Sequence, residues 1–341
     1  MTPSPGGPSA NGSSRLPPSS GPAAPAGGDA PGTPPPDPAP GVPPTAPRRP
    51  AVLETHGDRR VDDWLWLRDR DDPAVLELLR AENRYTEAAA AHLGPLHERL
   101  FDEIRGRILE TDLSVPVRKD SWWYYSRTVE GLDYSVHCRL PVTGTGDAAA
   151  TPPGTGPDRG ADAGSWPDEE VLLDENTLAE GTAYLDVANL SVSPDHSRLA
   201  YAVDTTGDER FVLKVRDLES GGDLPGAIEG TSYGVAWAND NATVFFTRPD
   251  AANRTYQLWR QRWGSPAADE VLVYQEDDER FHLGVERTKD GAYVLLDLRS
   301  KITSEVYAIA ADEPVGIPVV VDRRRQGIEY QVEHHEGPFL V

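Results

Sequence analysis

A serine in the pattern G-x-S-x-G is the first residue whose surroundings suggest chemistry. The pattern runs from Gly230 to Gly234 with Ser232 at its centre, and Asp and His residues follow along the chain. Such a serine becomes a nucleophile when a strand precedes it and a helix follows, because backbone N–H groups then stabilise an oxyanion. Here residues 221–226 read as a loop and residues 235–237 as a strand. We therefore reject Ser232 as a catalytic residue.

Three other groups of residues could carry chemistry. The segment 333–336, Glu-His-His-Glu, suggests a metal site, but neighbouring residues of a strand point to opposite faces and cannot readily share one ion. Cys138 and His137 are also neighbours on a predicted strand, so their side chains point to opposite faces and we do not expect a catalytic Cys/His pair. The acidic run 276–279 could attract a basic peptide or a cation, yet it lacks the spacing of a calcium loop and reads as a solvated turn. No cofactor-binding or metal-binding residue is predicted.

Composition excludes several classes of partner. The formal net charge of −23 argues against a nucleic-acid partner, which needs a basic face. No stretch approaches the roughly 18 apolar residues of a membrane span. Met1-Thr2-Pro3 is followed by no basic or apolar leader, so a cytoplasmic location is expected. Residues 1–50 are mostly Pro, Gly, Ala and Ser, and we expect a disordered tail there.

Two helices are predicted in residues 51–112, which we interpret as a helical N-terminal arm. Asp72 is placed to cap the first helix, with Pro73 at its first position. Gly94-Pro95 is expected to end it. A second helix is expected from Leu96 to Ile108, where apolar residues recur every four positions and form a stripe that needs a partner surface.

Residues 113–341 consist of short β-branched and aromatic segments separated by turns. A unit of four strands recurs, and the turn residues Asp195, Asp240 and Asp290 mark its copies. A repeat of this length is typical of β-propeller blades, whereas a β-sandwich has no internal copy. We predict a mainly β fold, a partial propeller with blades at 116–175 and in three further units to about 322. Residues 141–169 are predicted to be a mobile loop insert.

A fifth blade is expected to start at Tyr330-Gln331-Val332. The apolar run Pro338 to Val341 reads as the middle of a strand, so we expect the polypeptide to be incomplete relative to its fold.

Seven segments resemble the prolyl oligopeptidase family, and its oligopeptidase B branch most closely. They lie between residue 52 and the end of the chain and follow the family's order. In chain order they are Trp66 to Asp69, Ala81 to Tyr85, Glu103 to Pro116, Trp123 to Arg127, Val192 to Asp195, Val235 to Asp240 and Glu329 to His335.

The resemblance implies a helical arm, a seven-bladed propeller and a C-terminal α/β-hydrolase domain with a Ser-Asp-His triad. That hydrolase domain is absent from this sequence, so no triad residue can be carried over and the chain is expected to be inactive alone. The implied partners are that domain, within the same polypeptide, and short, basic peptides cleaved after Lys or Arg. Leu113, Ser114, Val115 and Pro116 match a strand joining the two domains and are hinge candidates.

Two alternatives compete with this interpretation. A free-standing propeller could act as a binding module, although exposed strand edges and an unpartnered apolar helix face would favour aggregation. A complete small hydrolase using Ser232 would require alternating strands and helices, and none appear in the sequence pattern.

Overall fold

The computed structural model describes residues 41–143, 166, 168–264 and 270–341. Most of the predicted tail (1–50) and of the predicted mobile insert (141–169) lies outside these residues. The chain divides into two compact units, one ending at Ile108 and the other covering Leu109–Val341. None of the helices in the described part is long and apolar enough to cross a membrane.

The first unit contains the predicted α1, Pro73–Ala90. Asp72 caps it as expected, because its Oδ1 accepts the Ala74 N–H at 2.8 Å. A β-hairpin of β1 (Ala51–Thr55) and β2 (Asp58–Asp62) precedes it. The hairpin was not predicted, since its second strand, DRRVD, has almost no apolar residue to mark a period.

Gly94 and Pro95 begin a helix instead of separating two helices by a loop. A 3₁₀ turn, Ala91–Leu93, leads directly into α2, Gly94–Arg105. Pro95 is tolerated there because the first turn of a helix leaves its N–H groups without intrahelical partners. The predicted apolar stripe is present, and it is exposed: Leu96, Leu100 and Ile104 are 41%, 45% and 60% exposed.

Most of the second unit is built from four-stranded antiparallel sheets, each formed by four consecutive strands. The first is β3 (Val117–Lys119), β4 (Trp122–Arg127), β5 (Val136–Pro141) and β6 (Glu170–Asp174), followed by the short helix α3 (Glu175–Ala179). The second is β7 (Asp186–Val192), β8 (Arg198–Asp204), β9 (Phe211–Asp217) and β10 (Ile228–Thr231). The third is β11 (Val235–Trp237), β12 (Thr243–Pro249), β13 (Thr255–Arg262) and β14 (Val271–Gln275). The fourth is β15 (His282–Arg287), β16 (Tyr293–Arg299), β17 (Ser304–Ala310) and β18 (Val319–Asp322).

The four predicted blades are therefore confirmed, and a fifth sheet begins with β19 (Glu333–His334) and β20 (Phe339–Leu340). The predicted first strand at 330–332 is wrong, because β19 starts at Glu333. Tyr330 instead turns back to the fourth blade, where its hydroxyl accepts the Val306 N–H at 2.9 Å and donates to the Asp322 carbonyl.

Apolar cores lie between neighbouring blades. On β12, Phe245 packs in a cluster with the fourth blade and Phe246 in a cluster with the second. Both rings are fully buried. Because successive strand residues face opposite sides, a blade with neighbours on both sides reads as a continuous apolar run, as β12 does.

Candidate functional site

Ser232 lies in the connection between the second and third blades. Residues 221–226 form no strand, as predicted, but a short strand that was not predicted, β10, lies between them and the serine. No helix follows, because Val235 opens β11. The Ser232 side chain is buried and its Oγ lies 3.2 Å from the Thr255 Oγ1. A neutral hydroxyl partner of this kind cannot remove the serine proton as a histidine would.

The hinge candidates continue the first blade as an edge segment. The Ser114 N–H donates to the Ser126 carbonyl at 2.8 Å, and the Ser126 N–H donates to Ser114 Oγ at 2.8 Å. Leu113 forms a bridge with Arg127 and packs on the core of that blade. Val115 is 72% exposed whereas Pro116 is buried. Their role as a hinge stays a prediction.

His334 and His335 face apart, as the strand pattern indicates. His334 is buried, and its Nδ1 lies 2.6 Å from Asp290 Oδ2 in the turn of the fourth blade. His335 is exposed, and its N–H donates to the Pro338 carbonyl. Among the described residues, no group of three or more His, Cys, Asp and Glu side chains could hold a metal ion.

The acidic run 276–279 forms the turn between the third and fourth blades, but it is not uniformly solvated. Glu276 is 5% exposed, and its Oε2 lies 2.5 Å from Arg324 Nη2. Arg324 Nε also lies 2.5 Å from Glu305 Oε2, and its guanidinium stacks on Phe281. Burial of Glu276 is possible because this cation neutralises it, and Arg324 is 48 residues away in sequence.

Cys138 and His137 have separate environments. Cys138 is buried within the first blade, and burial raises the pKa of its thiol to about 12. His137 lies on the other face of β5, where its Nε2 is 2.6 Å from Glu175 Oε1. A thiol with so high a pKa is not a nucleophile near neutral pH.

A series of contacts between turns links each blade to the next, and the sequence analysis did not predict it. The turn after the first strand of each blade contacts the next blade. The contacts are Asp120 Oδ2 with His196 Nε2 at 3.1 Å, Asp195 N–H to Asn241 Oδ1 at 3.0 Å, Asn239 Nδ2 to the Gly291 carbonyl at 3.2 Å, and Asp290 with His334. The repeated Asp-containing turn was the available signal, although it did not reveal the partners.

The repeated aspartates also close their own turns. Asp195, Asp240 and Asp290 accept backbone N–H groups from Ser197, Ala242 and Ala292, each at 3.0 Å. The Ala292 N–H lowers the pKa of Asp290 to about 2, with further hydrogen bonds from His334 and Thr288. Burial alone would raise the pKa of Asp195 and Asp240, but hydrogen bonds to their carboxylates lower it.

A sequence profile described as the prolyl oligopeptidase N-terminal β-propeller domain matches residues 43–341. The chain belongs to the prolyl oligopeptidase family. The family predicted from the sequence is therefore confirmed, and within it this chain is the propeller portion with the preceding helices.

Curated members of the prolyl oligopeptidase family are similar over most of this chain. Dipeptidyl aminopeptidase BI of Pseudoxanthomonas mexicana is 35% identical over 291 residues, covering 84% of this chain and 39% of that protein. Protease 2 of Moraxella lacunata is 34% identical over 298 residues, covering 87% of this chain and 41% of that protein. The chain thus spans about two fifths of the length of these relatives.

Solved structures of the family agree with the blades described above. Oligopeptidase B from Trypanosoma brucei, in a closed form with covalently bound antipain, matches with a TM-score of 0.73 and 33% identity. Oligopeptidase B from Leishmania major matches with a TM-score of 0.74 and 26% identity. Each match covers 86% of this chain and 41% of the other.

Proposed function

We propose that this chain is the arm and propeller of a serine oligopeptidase that hydrolyses short peptides after Lys or Arg. The observation that carries the proposal is the match of a propeller domain of this peptidase family to residues 43–341. Similarity to proteins named oligopeptidase B and Protease 2 supports the oligopeptidase B branch, for which the sequence resemblance implies cleavage after Lys or Arg. The cytoplasmic location expected from the sequence belongs to the same proposal.

In such a protein the hydrolase domain and the propeller would have different roles. A hydrolase domain would supply nucleophile, base and oxyanion site, and it is the partner we assign to the propeller. The blades, held by buried cores and turn contacts, would act as a rigid filter that admits short peptides and excludes folded proteins from a water-poor cavity. The segment 113–116 would act as the hinge. The chain alone is inactive in this proposal.

The test compares the 341-residue chain with a chimera in which the remaining part of Moraxella lacunata Protease 2 follows it. We expect the chimera, but not the chain, to cleave a short fluorogenic peptide with Arg before the scissile bond. The chimera should cleave a peptide with Glu at that position at least about a hundredfold more slowly, the discrimination expected for an unpaired buried charge. It should also leave the same Arg-containing sequence uncut within a folded protein.

Ser232→Ala serves as the control for a second nucleophile. Activity of the chimera should be unchanged by this substitution. Turnover by the chain alone that disappears in Ser232→Ala would overturn the proposal, and cleavage of folded proteins by the chimera would overturn the role of the propeller as a filter.

A further inference from the structure

Two basic side chains end the innermost strands of different blades. Lys119 is the last residue of β3 in the first blade, and Arg287 is the last residue of β15 in the fourth. The first strand of each blade lies at a sheet edge, and β11 contacts both β7 and β15, so these strands gather around the axis of the blades. The first strands of the blades all run in one direction. Lys119 and Arg287 therefore lie at the same end of the axis, beside the turns that connect the first and second strands of the blades.

Neither cation has a carboxylate within ion-pair distance in the part of the chain that the structure describes. The Lys119 ammonium donates to the Val192 carbonyl at 3.3 Å. Arg287 Nη2 donates to the Gly291 carbonyl at 3.0 Å and to Asn239 Oδ1. All three acceptors are neutral. Arg287 Nε is buried and has no hydrogen-bond partner.

The nearby carboxylates are engaged elsewhere. Asp120 contacts His196, Asp290 contacts His334, and Asp312 Oδ1 accepts the Asn239 amide at 2.7 Å. These contacts leave the two cations without a direct counter-charge.

The backbone holds Arg287 in place. Gly291 has a φ of +72°, and a Cβ built at that position would lie 2.5 Å from Arg287 Nη2. A side chain at 291 would therefore displace the guanidinium, whereas glycine lets it lie on the turn. Nη2 is used for this anchoring and Nε is buried, so Nη1 remains as the guanidinium donor toward a ligand, beside the rotatable donors of Lys119.

The pKa shifts of the two side chains indicate that an anion would be favourable at this end of the axis. Burial lowers the pKa of Lys119 and the Arg287 charge lowers it further, although the Asp120 charge opposes this effect. Burial also lowers the pKa of Arg287, although Asp312, Asp120 and Asp290 oppose this effect. Two desolvated cations that repel each other would both be stabilised by an anion bound between them.

We propose that Lys119 and Arg287 form a carboxylate-binding site that takes the C-terminal carboxylate of a short peptide. The choice of a peptide rests on the proposed function, while the anion preference rests on the two side chains. A guanidinium and an ammonium together provide charge-assisted donors to both carboxylate oxygens. The site would orient a peptide with its C-terminus toward the end of the axis where the turns between the first and second strands of the blades lie.

The test uses the 341-residue chain and isothermal titration calorimetry with N-acetyl-tetraalanine, either as the free acid or as the C-terminal amide. We expect the free acid to bind at least about tenfold more tightly than the amide, because the amide cannot form the charge-assisted hydrogen bonds. Lys119→Gln and Arg287→Gln should each weaken binding of the acid by about tenfold. Lys301→Gln, an exposed lysine at the opposite end of the fourth blade, should leave it unchanged.

Arg287→Lys separates binding from folding. It keeps the positive charge, so it should retain more affinity than Arg287→Gln while both variants show the circular dichroism of the parent chain. Equal binding of acid and amide would overturn the inference, as would binding that is insensitive to both Lys119 and Arg287 substitutions. Binding of inorganic phosphate with no binding of the peptide acid would overturn the peptide assignment.

The outcome is distinguishable from that of the proposed function. If the chimera cleaves Arg-containing peptides while the free acid and the amide of the tetraalanine peptide bind equally, only the proposed carboxylate site is ruled out. If the chain binds the free acid more tightly than the amide but the chimera has no peptidase activity, only the proposed function is ruled out.

Discussion

Arg324 pairs with two carboxylates that are otherwise almost completely buried. Glu276 belongs to the turn before the fourth blade and Glu305 to β17, and both are 5% exposed. Burial alone would lower the pKa of Arg324, but hydrogen bonds to the two carboxylates raise it. The cation therefore stays charged, and it neutralises two buried anions with one guanidinium.

We expect Arg324→Met to lower the free energy of unfolding by roughly 3 kcal/mol, because it leaves two buried carboxylates unpaired. Urea unfolding monitored by tryptophan fluorescence measures the change. Arg325→Met is the matched control: its pair with Asp322 is exposed and should contribute less than about 0.5 kcal/mol. Equal effects of the two substitutions would contradict this account of Arg324.

Cys138 is the chain's one cysteine, and the reactivity of its thiol shows whether the first blade is folded. Because burial raises the pKa of its thiol to about 12, we expect almost no reaction with a disulfide reagent at about pH 8. Reaction should become complete in urea as the blade opens, and Cys138→Ser should abolish the signal. Rapid labelling of the folded chain would show that this strand is accessible.

At the scale of elements, a local capping interaction defines the start of α1. Asp72 Oδ1 accepts the Ala74 N–H, and Asp72 Oδ2 pairs with Arg49 Nη1 at 3.0 Å. Asp72→Ala should destabilise the first turn by about 1 kcal/mol. Amide hydrogen exchange of residues 74–77 should then be about fivefold faster, while Asp71→Ala, an exposed neighbour outside the helix, leaves it unchanged. Unaltered exchange in Asp72→Ala would contradict the capping role.

At the scale of the whole molecule, the turns link each blade to the next. Each blade packs on its neighbours, so removing one hydrogen bond between two turns weakens the junction of two blades. Asp290 is the strongest case, because it closes its own turn and also binds His334 of the next hairpin.

This arrangement predicts how the stability of the chain depends on pH. The pKa of Asp290 falls from an ordinary 3.8 to about 2 on folding, so its contribution is present above about pH 4 and disappears as pH falls toward 2. Asp195 and Asp240 act in the same direction. Urea midpoints measured between about pH 6 and pH 2 should therefore decrease less steeply below about pH 4 in Asp290→Asn than in the parent chain. Asp277→Asn, at an exposed turn, should not alter the slope. An unchanged slope in Asp290→Asn would contradict the assignment.

Features that recur, or that depend on near neighbours, could be predicted from the sequence alone. The blade period was visible because each unit repeats its turn at Asp195, Asp240 and Asp290, and the start of α1 was visible because Asp72 and Pro73 act within one helical turn. The family, too, followed from short segments in a fixed order. The hairpin β1–β2 escaped prediction because polar strands carry little periodic signal.

The burial and pairing of charges became visible only in the folded chain. Glu276 read as part of a solvated run until Arg324, 48 residues away, was found against it, and His334 meets Asp290 across 44 residues. Lys119 and Arg287 come from different blades, so no local pattern could place them at one end of the axis. The reason is physical: local propensity acts over a few residues, whereas the desolvation of a charge depends on every element that packs around it.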